Sequence, residues 1–589
     1  MLLTSLLIGS LTWAFASAVP GKPFNKPRPH GDDFVPDQVL RVSYQQVTTA
    51  CQTRMSVVVN GTTPGPVIRI AAGKTSWIRV YNDMTDQNTT MHWHGLSQRT
   101  AIFSDGTPLR SQWPIAPLHF FDYEIAPLAG DAGTYFYHSH VGFQAHTSSG
   151  PLIVTDNGPP PYRYDGERII EFGDFFNATD ASIEHGLLAN PFVWSGETHG
   201  VLINGLGVAT GSVGGTAGCV LPVIDVEPDK TYRFRFIGAT ALSMVQFGIA
   251  GHDKFTIIGA DGQYTKPYDV RYMQVSTGQR FEVLFKTKSR ADLDNQTDYM
   301  MQWETRERPA VYRGFGVLRY CDATPVITTA PSTPPLTFSN ITYNWAEYAL
   351  QPLKPNNFPT ASQVTRRVKI RNRQMSANNA SVIWAASGLQ WIDTTAPSGK
   401  PYLVSIYENG PSAIPNYTKA LENYGWDPVT TAWPAKIGEV LEIVIYNQPS
   451  IVKNNYGLDF HPFHAHGGHY YDIGSGNGTY DPAANELKLK GYHPVLRDTT
   501  NLYRYTSAQT VDSLAGWRAW RIRVEDAGVW MIHCHILQHM IMGMQTVWVM
   551  GDYEQIASIQ HYDAAGYIEY GGSAYGNDSY TPSYVHQFS

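Results

Sequence analysis

Gly528-Val-Trp-Met-Ile-His533-Cys534-His535-Ile-Leu-Gln-His539-Met-Ile-Met-Gly-Met544 is the stretch on which the reading of this chain turns. In an extended strand, residues i and i+2 share a face and residue i+1 points the other way. His533 and His535 should therefore aim at one point while Cys534 faces the opposite side. A single short strand is predicted to serve two adjacent centres. His539 follows His535 by four positions and Met544 follows Cys534 by ten, which extends the donor set of the cysteine side.

The same plan recurs upstream. Gly133-Thr-Tyr-Phe-Tyr-His138-Ser-His140 parallels residues 528–535, and each copy has a further His-x-His pair before it. Those pairs are His92-Trp93-His94 and His464-Ala465-His466. Two copies of one β-rich unit are thus expected, each giving four imidazoles to a cluster at their interface. Short alternating runs such as GPVIRI (65–70), SWIRVYN (76–82), TYRFRFIG (231–238) and RFEVLFKT (280–287) are punctuated by Gly, Pro and Asn. That is the pattern of sandwich or barrel strands. The expected divisions are a signal segment over 1–18, β units over 38–158, 159–325 and 336–552, and a Tyr-rich surface tail over 553–589. A Thr/Pro-rich linker (323–337) precedes the third unit. The middle unit has no His-x-His pair and is expected to space the others and wall a substrate pocket.

The donors name a metal. Two imidazoles (His461 and His539), the Cys534 thiolate and a distant Met544 thioether describe a trigonal blue-copper site. Eight further imidazoles suit a cluster of borderline transition metals, whereas structural zinc closes with only four ligands. The two centres should lie about a dozen ångströms apart along the Cys534 strand. Copper performs the redox chemistry and the protein sets geometry and access.

The segments MHWHG (91–95), YHSH (137–140), HPFHAH (461–466) and HCHILQHMIMGM (533–544) resemble the four copper motifs of the multicopper oxidases, which comprise laccases, ascorbate oxidases and ferroxidases. The resemblance keeps the family's order over nearly the whole chain after the signal segment. It implies an all-β fold of three cupredoxin-like Greek-key β-sandwich domains, four copper ions and dioxygen as acceptor. It further implies His461, Cys534, His539 and axial Met544 as type 1 ligands, and His92 and His464 as type 2 ligands. His94, His138 and His535 would hold one type 3 copper, and His140, His466 and His533 the other. Asp105 in Phe-Ser-Asp-Gly-Thr resembles the acidic residue beside type 2 copper, implying a proton relay; the residues alone read equally as a turn-forming Asp-Gly. An axial Met implies a low-to-medium potential.

Resemblance also bears on the substrate. Trp194 and Trp384 align with the two substrate-stacking tryptophans of plant ascorbate oxidases, although core burial is an ordinary alternative. Flanking His539, they would form a slot for planar substrates, with Glu197 accepting a phenolic proton. Of the four cysteines, Cys534 is committed to copper, so at most one disulfide can join Cys51, Cys219 and Cys321, with three pairings open. Resemblance to ascorbate oxidases favours Cys51–Cys219 and leaves Cys321 a buried thiol. Most cysteines of the plant enzymes are missing, the third motif continues as HPFHAHGGHY, and the Asp-Ser-Gly-Leu ending of ascomycete laccases is absent. The expected enzyme is a filamentous-fungal, laccase-like oxidase of phenolic substrates, of the kind that couples polyketide phenols in pigment or secondary-metabolite pathways. L-Ascorbate oxidase is the alternative reading, and ferroxidase a less favoured one.

The apolar run ending in Ala16-Ser17-Ala18 reads as a secretory signal. With sequons at Asn60, Asn88, Asn177, Asn340, Asn416 and Asn477, it predicts a secreted or cell-surface glycoprotein. The net charge of −7 and the absence of a basic run give no reason to expect nucleic acid. No later stretch reaches eighteen uninterrupted apolar residues, so no membrane anchor is expected, and a monomer is the simplest state.

Overall fold

The computed structural model describes residues 28–29 and 33–586, except 211–218, 294–295, 321–326, 328, 378–380, 394–395, 506–509, 559–563 and 583–584. The signal segment and Cys321 lie outside the described residues. Six sheets group by sequence into three pairs. In each pair the opening strand lies parallel to a later one: Gln38–Thr49 to Ser76–Asn82, Gly166–Phe175 to Thr231–Gly238, and Arg366–Ala377 to Val440–Asn447. The companion sheets repeat the device, with Ile68–Ala71 beside Ser149–Thr155, Val223–Val226 beside Arg313–Tyr320, and Trp433–Ala435 beside Gln545–Met550. Parallel neighbours cannot be joined by a tight hairpin, so the chain crosses between sheets each time, as in a Greek key. The internal repeat therefore covers three sandwiches, and the middle one is a copy without the histidines.

Burial follows from how these sandwiches meet. A strand with one wet face alternates, as Arg366–Ala377 does over its first half. Gly528–Cys534 is buried at every position, since one face looks into its own sandwich and the other into the first. One continuous apolar core accordingly spans the first and third sandwiches, and the middle sandwich has a separate one. The Cys51–Cys219 disulfide, with Cα atoms 4.3 Å apart, ties the first sandwich to the middle one.

Two segments lie elsewhere than expected. Residues from 336, expected to open the third unit, sit on the middle sandwich: Leu336 N–H donates to Gln302, and the Trp345 ring meets Phe281 edge-on at 5.4 Å. The strands of the third sandwich begin at Arg366. The tail is not merely laid on the surface. Gly576–Asn577 pairs with His119–Ile125 and adds a fifth strand to the first sandwich. Tyr567 stacks on Phe103 at 4.4 Å and Tyr575 lies 5.0 Å from Phe121, both tyrosines fully buried. Tyr567 thus helps fix the short 3-10 helix Ile102–Asp105 through Phe103.

Candidate metal centres

Strand pairing places the histidines. His92–His94 runs antiparallel to Gly133–His138 with His92 opposite His138, and His461–Ala465 runs antiparallel to Gly528–Cys534 with His464 opposite His533. The two strand pairs belong to different sandwiches, and their imidazoles interleave. His94 stacks on His464 at 3.7 Å and His92 on His466 at 4.0 Å. All eight rings are buried. Donor atoms of His140, His466 and His533 lie within 4.8 Å of one another, as do those of His92, His94 and His138. His535 reaches His94 at 3.1 Å between nitrogens, and its ring centre is 5.2 Å from that of His138.

Proton positions test whether these residues fit metal ions. A neutral imidazole has one N–H. His92, His138, His464 and His533 donate theirs from Nδ1 to the backbone carbonyls of Asp105, Ser139, Asp498 and Cys534, at 2.6 to 3.0 Å. His466 donates from Nδ1 to Asp105 Oδ2 at 2.9 Å, and His535 from Nδ1 to the Thr277 hydroxyl at 2.9 Å. His94 is turned the other way, with Nε2–H directed at Thr499 Oγ1 (3.1 Å) and Asp498 (3.3 Å). The other nitrogen of each of these seven rings is left as a bare lone pair, and neither nitrogen of His140 has a hydrogen-bond partner. His94 Nδ1 and His535 Nε2 are 3.1 Å apart, as are His466 Nε2 and His533 Nε2. Burial pushes the pKa of all four well below that of ordinary histidine, so no proton bridges either pair. Facing lone pairs in a dry site repel unless a cation binds them. The donor set therefore fits soft-to-borderline metal ions.

On the other side of the Cys534 strand, Sγ lies 3.7 Å from His461 Nδ1 and 3.6 Å from His539 Nδ1, and those nitrogens are 3.1 Å apart. Burial pushes the Cys534 thiol well up, so a thiolate there needs a cation partner. Met544 is fully buried beside it: its N–H donates to the His539 carbonyl at 2.9 Å, and its carbonyl accepts from Cys534 N–H at 3.1 Å.

Other expected residues divide. Asp105 is fully buried; Oδ2 accepts from His466 and from Thr107, while Oδ1 has no hydrogen-bond partner. Burial pushes its carboxyl up to about 8. Trp384 is buried against both imidazoles of the cysteine group, 4.8 Å from His461 and 4.7 Å from His539. Trp194 is half-buried, with the Arg308 guanidinium 5.7 Å over its ring. Glu197 is taken by Arg308 through bonds of 2.7 and 2.9 Å. Arg308 in turn bonds both oxygens of Asp459 at 3.0 and 3.2 Å, and Asp459 Oδ2 lies 3.4 Å from His539 Nε2. Burial works to raise the Asp459 carboxyl, but the charge of Arg308 and the His539 contact hold it well below the usual range.

Sequence reasoning missed Asp459, Arg308 and Asp498. Asp459 had a signal, being a carboxylate two residues before His461. Asp498 and its bidentate partner Arg280 (2.5 and 2.6 Å) carry no motif, since the pair forms only when the middle and third sandwiches meet.

Three family models described as multicopper oxidase match residues 41–159, 166–323 and 399–553. The chain is 50% identical to laccase-like multicopper oxidase 1 of Thermothelomyces thermophilus, over 95% of this chain and 93% of that one. It is 49% identical to multicopper oxidase aurL2 of Gibberella zeae, over 94% and 95% of the two chains. The crystal structure of the laccase from Botrytis aclada shares the fold with a TM-score of 0.68, at 22% identity over 88% of each chain. This chain belongs to the multicopper oxidases, copper-dependent oxidoreductases of cupredoxin-like fold that use dioxygen as acceptor.

Proposed function

We propose that this oxidase is a secreted, laccase-like enzyme that withdraws single electrons from phenolic substrates beside His539 and reduces dioxygen to water. The observation that carries the reading is the outer edge of the Cys534 group: Trp384 lies on both imidazoles and Asp459 sits at His539 Nε2. We assign His461, Cys534, His539 and Met544 to type 1 copper, and His92 and His464 to type 2. His94, His138 and His535 are assigned to one type 3 copper, and His140, His466 and His533 to the other. Bound there, copper supplies the one-electron and dioxygen chemistry.

The chain's own residues do the rest. Cys534 and its neighbours join the two groups by a few covalent bonds. Arg308 bonds both carboxylates, and Asp459 is assigned the phenolic proton ahead of Glu197 because its Oδ2 lies 3.4 Å from His539 Nε2. Trp384 offers an apolar face to a planar ring. Asp105, with an unpartnered oxygen next to His466, is assigned to hold and pass a proton toward the cluster. Trp194 borders this region through Arg308. Secretion is supported by the sequons: Asn60, Asn177, Asn340, Asn416 and Asn477 are exposed and Asn88 partly so. Arg308, lying between Glu197 and Asp459, disfavours a ferrous-ion site, because it occupies both carboxylates and offsets one of their two negative charges.

Dioxygen uptake measured in parallel with a methoxyphenol, a naphthol, ascorbate and ferrous iron tests the reading. The phenols should give the highest kcat/KM. A tenfold or greater preference for ascorbate or ferrous iron would overturn it.

A further inference from the structure

The middle sandwich, expected as a spacer and a wall of the substrate pocket, also sends a loop into the cluster. This is Ser276-Thr277-Gly278-Gln279, between the strands Met273–Val275 and Arg280–Lys286. Thr277 is buried, and its hydroxyl bonds the Thr240 carbonyl, His535 Nδ1 (2.9 Å) and, more distantly, the His535 carbonyl (3.3 Å). A hydroxyl has one proton, and a carbonyl can only accept. The short contact to Thr240 takes that proton, so Thr277 must accept from His535 Nδ1–H. That leaves the lone pair of His535 on Nε2, facing His94 Nδ1 at 3.1 Å.

The rest of the loop serves the partner ring. Gly278 runs at φ 85° directly under both imidazoles, where a Cβ would lie 3.0 Å from the His535 ring and 3.1 Å from that of His94. Gln279 Nε2 donates to the Thr499 carbonyl at 3.1 Å, and Arg280 clamps Asp498. Thr499 and Asp498 are the groups toward which His94 turns its Nε2–H.

We infer that Thr277 is a positioning residue of the middle sandwich, fixing His535 in the tautomer whose Nε2 lone pair faces His94. The inference rests on the assignment of His94 and His535 to one type 3 copper. Without the hydroxyl, His535 loses the acceptor for Nδ1–H, and a ring free to flip or change tautomer presents a proton to the metal position.

The full-length holoenzyme of Thr277→Val should keep its melting temperature, its blue visible band and its rate of type 1 reduction by ferrocyanide. Its type 3 pair should bind copper incompletely or show a new electron paramagnetic signal, and reoxidation by dioxygen should slow by ~10–100-fold. Thr277→Ser should restore all three. If Val prevents folding, Thr277→Ala decides by the same readings. A Thr277 variant indistinguishable from the parent in copper content, pair spectrum and reoxidation would overturn the inference. So would one that loses the blue band and the pair together, since that is general disruption. His535→Ala separates the two ideas. If it depletes the pair while Thr277→Val does nothing, Thr277 has no such role; if it too leaves the pair intact, the ligand assignment itself falls.

Discussion

The eight-imidazole cluster and the Cys534 group lie on opposite faces of one strand, yet they are held in place differently. Around the cluster, four rings are pinned by backbone carbonyls, those of Ser139 and Cys534 at the ends of the histidine strands and those of Asp105 and Asp498 from neighbouring segments. Two more rest on Asp105 and Thr277. The Cys534 group instead has its outer edge shaped by side chains: Asp459 from two residues before His461, and Trp384, Arg308 and Glu197 from distant segments. A ring pinned by a carbonyl does not depend on the side chain of the residue that supplies it. An edge made of side chains can be rebuilt by substitution without touching the fold. The comparison therefore teaches that dioxygen chemistry is fixed by the architecture, while substrate choice is carried by a few replaceable groups.

The sharpest way to break this division is at the residue both regions share. Cys534→Ser should abolish the blue absorption and reduce turnover to background, while the cluster keeps its copper as judged by metal content and paramagnetic resonance. If the cluster empties as well, the two regions are a single metal-binding unit and the comparison fails. Next in size is Asp105→Asn, which keeps the shape but removes the proton-holding carboxyl. Reoxidation by dioxygen should slow by ~100-fold with type 1 reduction unchanged. Stopped-flow measurement of the two half-reactions checks it, and an equal slowing of both would remove Asp105 from the relay.

The same contrast explains what could be seen in the sequence. A strand makes i and i+2 neighbours whatever surrounds it, so His-x-His pairs announced the cluster and its placement between two repeats. The middle repeat was legible only through its strand pattern and the family resemblance, because topology can recur without any shared residue. The strand Gly576–Asn577 is too short to have a period, and only its partner His119–Ile125 makes it a strand. Glu197 was named for its nearness in sequence to Trp194, whereas Arg308 comes from 111 residues away and joins it to Asp459. Of the two carboxylates, Asp459 is the one that meets His539. Which groups a carboxylate reaches is a property of the assembled fold.

Asp459→Asn should lower kcat/KM for a phenol by ~10–100-fold, because the neutral amide cannot take the proton that leaves with the electron. Oxidation of ferrocyanide, which releases no proton, should change little. Glu197→Gln should have the smaller effect on phenols, since it only loosens Arg308. If Glu197→Gln proves the more damaging of the two, proton acceptance belongs to Glu197 after all, and the edge is organised differently from the geometry described.

The smallest effect on turnover is expected at Met544→Leu. Met544 holds its place through backbone bonds to His539 and Cys534, so replacing the side chain leaves both contacts and the buried volume nearly intact. What changes is the donor: a thioether that binds weakly along the axis stabilises oxidised copper, and an alkyl group does not. The type 1 potential should rise in a redox titration, while turnover on an easily oxidised phenol changes by less than about tenfold, or ~1.4 kcal/mol of barrier. A higher potential should also bring less reducible phenols within reach, which reads out as a shift in substrate range at constant dioxygen reactivity. An unchanged potential would mean that the Met544 sulfur does not lie on the axis. A changed rate of cluster reoxidation would show that the Cys534 group and the cluster are less independent than their separate supports imply.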